Sequence, residues 1–248
     1  MEYRKRLYDS YVSSHFGHHN TFSPDEYELY SKIAKRRYRR ILPEKKDAAI
    51  ADAGCGAGHF LYFLQKEGYF DLIGIDSSEE QLAVARKAGI HNLLRADLFE
   101  YLPKCGRSFD MIIANDIIEH LNKDETIRFL DLVYGALLPG GRVLVSTLNA
   151  GVPSGRDIQF SDFTHEQGFT VGSLCQVLRA CNFTGVEAWG EKPVAHDLRS
   201  SIRAALWACA VFMRGVYAAI EGGTGRGLRK GARVFEPRIY AVGYKAKP

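Results

Sequence analysis

The segment Ala49-Ile50-Ala51-Asp52-Ala53-Gly54-Cys55-Gly56-Ala57-Gly58 constrains the fold more than any other part of the chain. A short apolar run ends in a carboxylate, a loop with glycine at every second position follows, and a helix is predicted from near His59. Glycine has no Cβ, so such a loop turns sharply and lets its backbone lie against a ligand. The helix N-terminus behind it offers unpaired N–H groups. Eighteen residues past Gly58, a second run, Asp71-Leu72-Ile73-Gly74-Ile75-Asp76, ends in another carboxylate. An acid at that place in a βαβ unit is set to accept hydrogen bonds from both hydroxyls of a ribose. The first half of the chain therefore reads as a nucleoside-binding α/β unit.

At 248 residues and 46% hydrophobic content, the chain can bury one full core. The net charge of +4 permits an anionic substrate or a membrane surface without demanding nucleic acid. Five scattered cysteines with no C-x-x-C pair argue against a disulfide framework or structural zinc and for a reducing compartment. The opening Met1-Glu2-Tyr3-Arg4-Lys5-Arg6 leads into tyrosines, serines and histidines, so no signal peptide is expected. The longest apolar stretch, Ala204 to Met213, is about half of what a bilayer span needs. The expected location is cytoplasmic, with a peripheral membrane contact as the variant.

Ser23-Pro24-Asp25-Glu26 reads as a helix start, with an N-cap serine and proline at the first position, and that helix is expected to run to about Leu42. From 47 to 148, strands and helices alternate, the mark of a parallel sheet. Strands are predicted near 48–52, 71–75, 92–95, 109–114 and 142–148, with helices near 58–67, 79–88, 123–137 and 171–181. Leu138-Pro139-Gly140-Gly141 reads as a turn and 149–170 as a long polar loop. Residues 184–190 and 238–246 complete a seven-stranded, mostly parallel, Rossmann-like sheet, with a helix over 197–221 before the last strand. The predicted organisation is an N-terminal helical cap (1–45) on a cofactor-binding domain (46–248), with 197–235 an appendage of helix and basic glycine-rich loop.

Which nucleoside is bound follows from the glycine spacing. Dinucleotide sites use G-x-G-x-x-G around a pyrophosphate. Here the pattern is G-x-G-x-G with Asp52 two residues ahead, a carboxylate that repels pyrophosphate and suits an ammonium group. The pattern resembles motif I of the class I S-adenosylmethionine (SAM)-dependent methyltransferases. Asp76-Ser77-Ser78-Glu79, Arg95-Ala96-Asp97-Leu98, Phe109 to Asp116, and Leu138-Pro139-Gly140-Gly141-Arg142-Val143 follow in the family's order, so the resemblance covers about 45–185. It implies SAM as cofactor, held by Asp52, Gly54, Cys55, Gly56, Gly58, Asp76, Ser77, Asp97, Leu98 and Asn115. In the family, the acid at the Asp97 position bonds the adenine amino group, although Asp97 taken alone reads as a helix cap.

Methyl transfer is a displacement at a sulfonium carbon, so the protein mainly aligns the acceptor. A hydroxyl acceptor also needs its proton removed, commonly by histidine or a carboxylate. His120, after the fourth strand, and His165, after the fifth, are the candidate bases, and Asp116 is expected to face the acceptor with them. Asp116, Glu119 and His120 also resemble the acid-x-x-Glu-His run of ubiquinone-type O-methyltransferases, where the cluster is associated with a divalent metal; no metal is assigned here. Asn115-Asp116-Ile117-Ile118 lacks the Asn/Asp-Pro-Pro-aromatic turn of enzymes that methylate nucleobase amines, which disfavours that chemistry.

The run Lys35-Arg36-Arg37-Tyr38-Arg39-Arg40 is either a solvated helix face or an attractor of an anionic acceptor such as a sugar phosphate. No aromatic-basic module points to nucleic acid. His15, His18 and His19 read as part of a non-ligating lead-in. The helix over 197–221 carries apolar residues with Arg199, Arg203 and Arg214, and suits its own core, a homodimer partner or an anionic membrane surface. Arg226, Arg229, Lys230 and Arg233 would strengthen the last of these contacts.

The opening Leu7 to His15, the Asp162-Phe163-Thr164-His165-Glu166 loop and the apolar-basic helix resemble a subgroup from bacterial surface-polysaccharide and related glycan pathways. That resemblance implies methylation of a sugar hydroxyl on a glycan or its activated precursor. A quinone precursor or other small phenol is the alternative acceptor. A non-catalytic nucleoside-binding module is the alternative of another class.

Overall fold

The computed structural model describes residues 22–222 and 234–247. The opening Leu7 to His15, His18, His19 and the basic glycine-rich segment after Gly222 lie outside the described residues, as does Arg233.

A seven-stranded sheet forms the centre, in the order β3-β2-β1-β4-β5-β7-β6. The strands are β1 (Ile50–Ala53), β2 (Leu72–Asp76), β3 (Leu93–Arg95), β4 (Phe109–Asn115), β5 (Leu137–Leu148), β6 (Thr184–Gly190) and β7 (Arg238–Tyr244). The first five run parallel, while β7 is antiparallel to both β5 and β6. This is the expected Rossmann-like, mostly parallel architecture. All four residues of β1 are buried, as befits a central strand covered on both faces. Ala51 and Ala53 face one core with Phe129, Leu130 and Leu174; Ile50 faces the other with Tyr38, Phe60 and Leu82.

The helices are α1 (Pro24–Tyr38), α2 (His59–Lys66), α3 (Glu79–Lys87), α4 (Leu98–Tyr101), α5 (Lys123–Ala136), α6 (Pro153–Ser161), α7 (Val171–Ala180) and α8 (Leu198–Gly222). Helix α1 packs on the glycine loop: the Tyr27 hydroxyl donates to Ala57 O at 2.5 Å and its ring stacks on His59 at 4.1 Å. Helix α5 starts with a full capping box between Asn122 and Glu125.

Three local expectations are corrected. Helix α1 starts without a side-chain cap from Ser23 and ends at Tyr38, four residues short of Leu42. The Leu138–Gly141 segment lies inside β5, because Leu137 pairs with Phe109 and Gly140 N donates to Lys245 O at 3.0 Å. The polar stretch 149–170 holds α6, whose proline at the first turn was the available start signal.

Candidate active site

The carboxyl ends of the parallel strands open into one crevice of about 1370 Å³. A single drug-sized ligand fills roughly 300–1000 Å³, so two ligands fit side by side. Asp52, Gly54, Cys55, Gly56, Asp76, Ser77, Asp97, Leu98, Asn115, Asp116, His120 and His165 all line it. Gly58 is not among the lining residues. At φ +79° a Cβ there would lie 2.4 Å from Ile90 Cδ1, so this glycine serves the packing beneath the loop. Gly56, at φ +52°, would meet nothing closer than 3.8 Å, leaving its backbone open to the crevice.

The loop side of the crevice is rich in acceptors. Asp52 is 2% exposed. Burial, then the negative charge of Asp76, pushes its carboxyl up to about 8, with no cation offsetting either effect. Asp76 accepts from Gly56 N through Oδ2 and from Ser78 N through Oδ1, both at 2.8 Å. Burial raises its carboxyl and these N–H groups pull it back. Each oxygen has a second lone pair to offer a hydroxyl. Asn115 Oδ1 is buried with no hydrogen-bond partner among the described residues. Asp97 caps α4 by accepting from Phe99 N at 2.7 Å, and it also lines the crevice. Buried acceptors short of donors and cations fit a ligand with an ammonium or sulfonium charge and a ribose. SAM is such a ligand, and Asp52, Gly56, Asp76 and Asn115 are the groups placed to hold it.

The opposite wall is mostly paired within the protein, although Glu119 Oε2 is buried without a hydrogen-bond partner among the described residues. Asp116 sits at φ +54°, a backbone strain typical of functional sites, and forms an ion pair with Arg238. Glu191 joins Arg238 at 3.4 Å and Arg37 at 2.6 Å. Within the basic run, Lys35 turns to Glu67 and Arg36 to the Ala195 carbonyl, whereas Arg37 reaches the crevice. Glu119 is buried; desolvation and then Asp116 push its carboxyl up to about 8. Its carbonyl accepts from Glu166 N at 2.7 Å, which anchors the loop bearing His165.

That loop brings the two predicted histidines together, with ring centroids 4.6 Å apart. Thr164 Oγ1 donates its proton to Asp162 Oδ1 at 2.7 Å. The contact of 2.9 Å between Thr164 Oγ1 and His120 Nδ1 therefore has the imidazole as donor. This fixes the tautomer with the proton on Nδ1. Burial, then His165, lowers the His120 pKa to about 4, so the ring is neutral at physiological pH. His165 Nδ1 lies 2.8 Å from Gln159 O, which makes it a donor as well. One ligand atom from each of His120, Asp162 and His165 falls within 4.8 Å of the others, and this is the gathered group among the described residues; Asp116 and Glu119 are not part of it. Hydrogen bonds engage Asp162 Oδ1 and both Nδ1 atoms.

Sequence reasoning missed Glu191, Arg238 and Tyr240 as crevice residues, named Arg37 only within the basic run, and gave Asp162 and Thr164 no individual role. The Asp-x-Thr spacing of an Asx turn was the one local signal for that pair: Thr164 N donates to Asp162 Oδ1 at 2.8 Å.

Residues 15–188 match the family model described as Methyltransferase domain. The chain belongs to this family. With it come the class I methyltransferase fold and SAM as methyl donor. This methyltransferase is 30% identical over 108 residues to the ubiquinone biosynthesis O-methyltransferase of Sinorhizobium fredii, covering 42% of each chain. It is 30% identical over 129 residues to the tRNA U34 carboxymethyltransferase of Desulfotalea psychrophila, covering 48% of this chain and 39% of that one. The match thus spans less than half the length of either relative. Among solved structures, a SAM-dependent methyltransferase from Archaeoglobus fulgidus superposes with a TM-score of 0.63 at 22% identity, covering 87% of this chain and 94% of that one. Phosphoethanolamine N-methyltransferase 2 of Haemonchus contortus, in complex with SAM, gives 0.58 at 20% identity, covering 96% and 56%.

Proposed function

We propose that this methyltransferase transfers the SAM methyl group to a hydroxyl of a small polar acceptor, a sugar of a surface glycan or its activated precursor. The observation that supports the O-methyl reading is the Asp162–Thr164–His120 chain, which sets a neutral imidazole in the lining of the crevice. SAM supplies its own leaving group; the protein holds the acceptor oxygen in line and takes its proton. His120 is the base, with Thr164 and Asp162 positioning it. His165 lowers the basicity of His120 and lends a second polar contact. Asp116, held by Arg238, orients the acceptor.

The charged and hydroxyl-rich wall of Arg37, Glu191, Arg238 and Tyr240 favours a polyhydroxylated acceptor, and its two arginines tolerate an anionic one. A phenol acceptor is the second reading, supported by the likeness to ubiquinone biosynthesis O-methyltransferases. Dispersal of the basic run to Glu67, Ala195 and the crevice speaks against a nucleic-acid face.

The test is a mass-spectrometric screen with labelled SAM against sugar phosphates, nucleotide sugars and catechols, with and without EDTA. A single methyl added to a sugar hydroxyl, unaffected by EDTA, is the expected result. Methylation of catechols alone, dependent on magnesium, would replace the glycan reading with the phenol one. Transfer to an amine would end both.

A further inference from the structure

Helix α8 runs for 25 residues, about 37 Å at 1.5 Å per residue. One side of it is anchored. Trp207, Val211 and Arg214 are half-buried, Arg214 donates to Phe235 O at 3.0 Å, and its guanidinium covers the Trp207 ring at 5.7 Å. The other side carries large apolar residues left in solvent: Leu198 is 77% exposed, Leu206 66%, Phe212 70% and Ile220 75%, with Ile202 and Met213 between them. At about 100° per residue these six fall in one continuous stripe pointing away from the anchored side. Such a stripe marks an interaction surface.

Charge decides what covers it. Between 198 and 233 the sequence holds seven cations, three of them on α8, against the single acid Glu221. Two copies of this segment repel, whereas an anionic surface attracts it. Arg199 and Arg203 flank the apolar stripe, where their stems can lie along it while the guanidinium groups reach headgroups. No described helix is long and apolar enough to cross a membrane. We infer that α8 lies flat on an anionic lipid bilayer, its apolar stripe sunk into the headgroup boundary and its arginines at the phosphates. In sequence, Glu191 precedes the helix by seven residues and Arg238 follows it by sixteen, so α8 is inserted between two residues that line the crevice.

The test is vesicle flotation of the full chain, using phosphatidylcholine alone or with one-third phosphatidylglycerol. This reads binding without any acceptor and so stands apart from the proposed reaction. Flotation with the anionic vesicles only, weakened by salt, is expected. Phe212→Glu with Met213→Glu should cut partitioning at least about tenfold, and Arg199→Gln with Arg203→Gln roughly fivefold or more. Unchanged SAM affinity in both variants will show that they fold. Failure to float with anionic vesicles overturns the proposal. So does a concentration-dependent dimer in sedimentation equilibrium that Phe212→Glu dissolves, which would make the stripe a contact between copies.

Discussion

The two walls of the crevice are built from opposite materials. On the loop side, acceptors stand open: Asp52 is 2% exposed with no cation among the causes of its shift, Asp76 is held by backbone N–H groups, Asn115 Oδ1 has no partner among the described residues, and Arg95 is turned to the Ser77 carbonyl. On the acceptor side most charges are answered within the protein, Asp116 by Arg238, Glu191 by Arg37 and Arg238, and His120 is joined through Thr164 to Asp162, while Glu119 Oε2 is buried without a hydrogen-bond partner among the described residues. The first wall is short of partners, and the second is mostly paired before any ligand arrives. Substitutions on the loop side should therefore act on cofactor affinity and on apo-protein stability. Those on the other wall should act on turnover.

The largest effect expected is on turnover. His120→Ala should lower kcat by about 10²–10⁴-fold while calorimetry finds SAM affinity within about twofold of wild type; full activity would remove histidine as base. Asp76→Ala should weaken SAM binding by about 100-fold, the loss of two charge-assisted hydrogen bonds to ribose at ~1.5 kcal/mol each. Unchanged affinity would show that the loop side is not the cofactor wall.

Thr164→Val should cost about tenfold in kcat with KM unchanged, and Thr164→Ser should restore it. Because burial keeps His120 neutral down to a pKa of about 4, wild-type kcat should stay flat from pH 8 to about pH 5. A fall near pH 6.5 would show that the imidazole is not desolvated as described.

The smallest effect tests Asp52. Its carboxyl keeps a proton up to about pH 8 in the fold and loses it near 3.8 when unfolded. Between those values the folded state binds more protons, so apo stability falls as pH rises. Asp52→Asn should flatten that slope and raise the apo melting temperature at pH 8 by ~3 °C, on the order of 1 kcal/mol for a chain of this size. An unchanged thermal profile from pH 5 to pH 8 would show that Asp52 is not strained by burial.

The same division explains what could be read from sequence. The loop wall was legible because its parts are local: strand, acid, glycines and helix recur within thirty residues, and Asp52, Gly56 and Asp76 carry their chemistry in their spacing. The acceptor wall is assembled from residues 122 and 203 positions apart, Asp116 with Arg238 and Arg37 with Tyr240, and no local period encodes such pairings. His120 and His165 were named singly, but the Thr164 bridge between Asp162 and His120 needed coordinates. The packing demand on Gly58 could not be read from sequence, because it comes from Ile90 beneath it. Segment 138–141 was read as a turn because Pro-Gly-Gly signals one; Gly140 does bend at φ +81°, but its pairing with Lys245, more than a hundred residues on, keeps the bend within β5.

The proton on Asp52 has a consequence for donor capture. A sulfonium amino acid entering that corner must evict it, so binding becomes an exchange of one cation for another. Uptake of the donor should then liberate acid into the buffer and tighten as the medium turns alkaline, with a calorimetric heat that varies with the ionisation enthalpy of the buffer chosen.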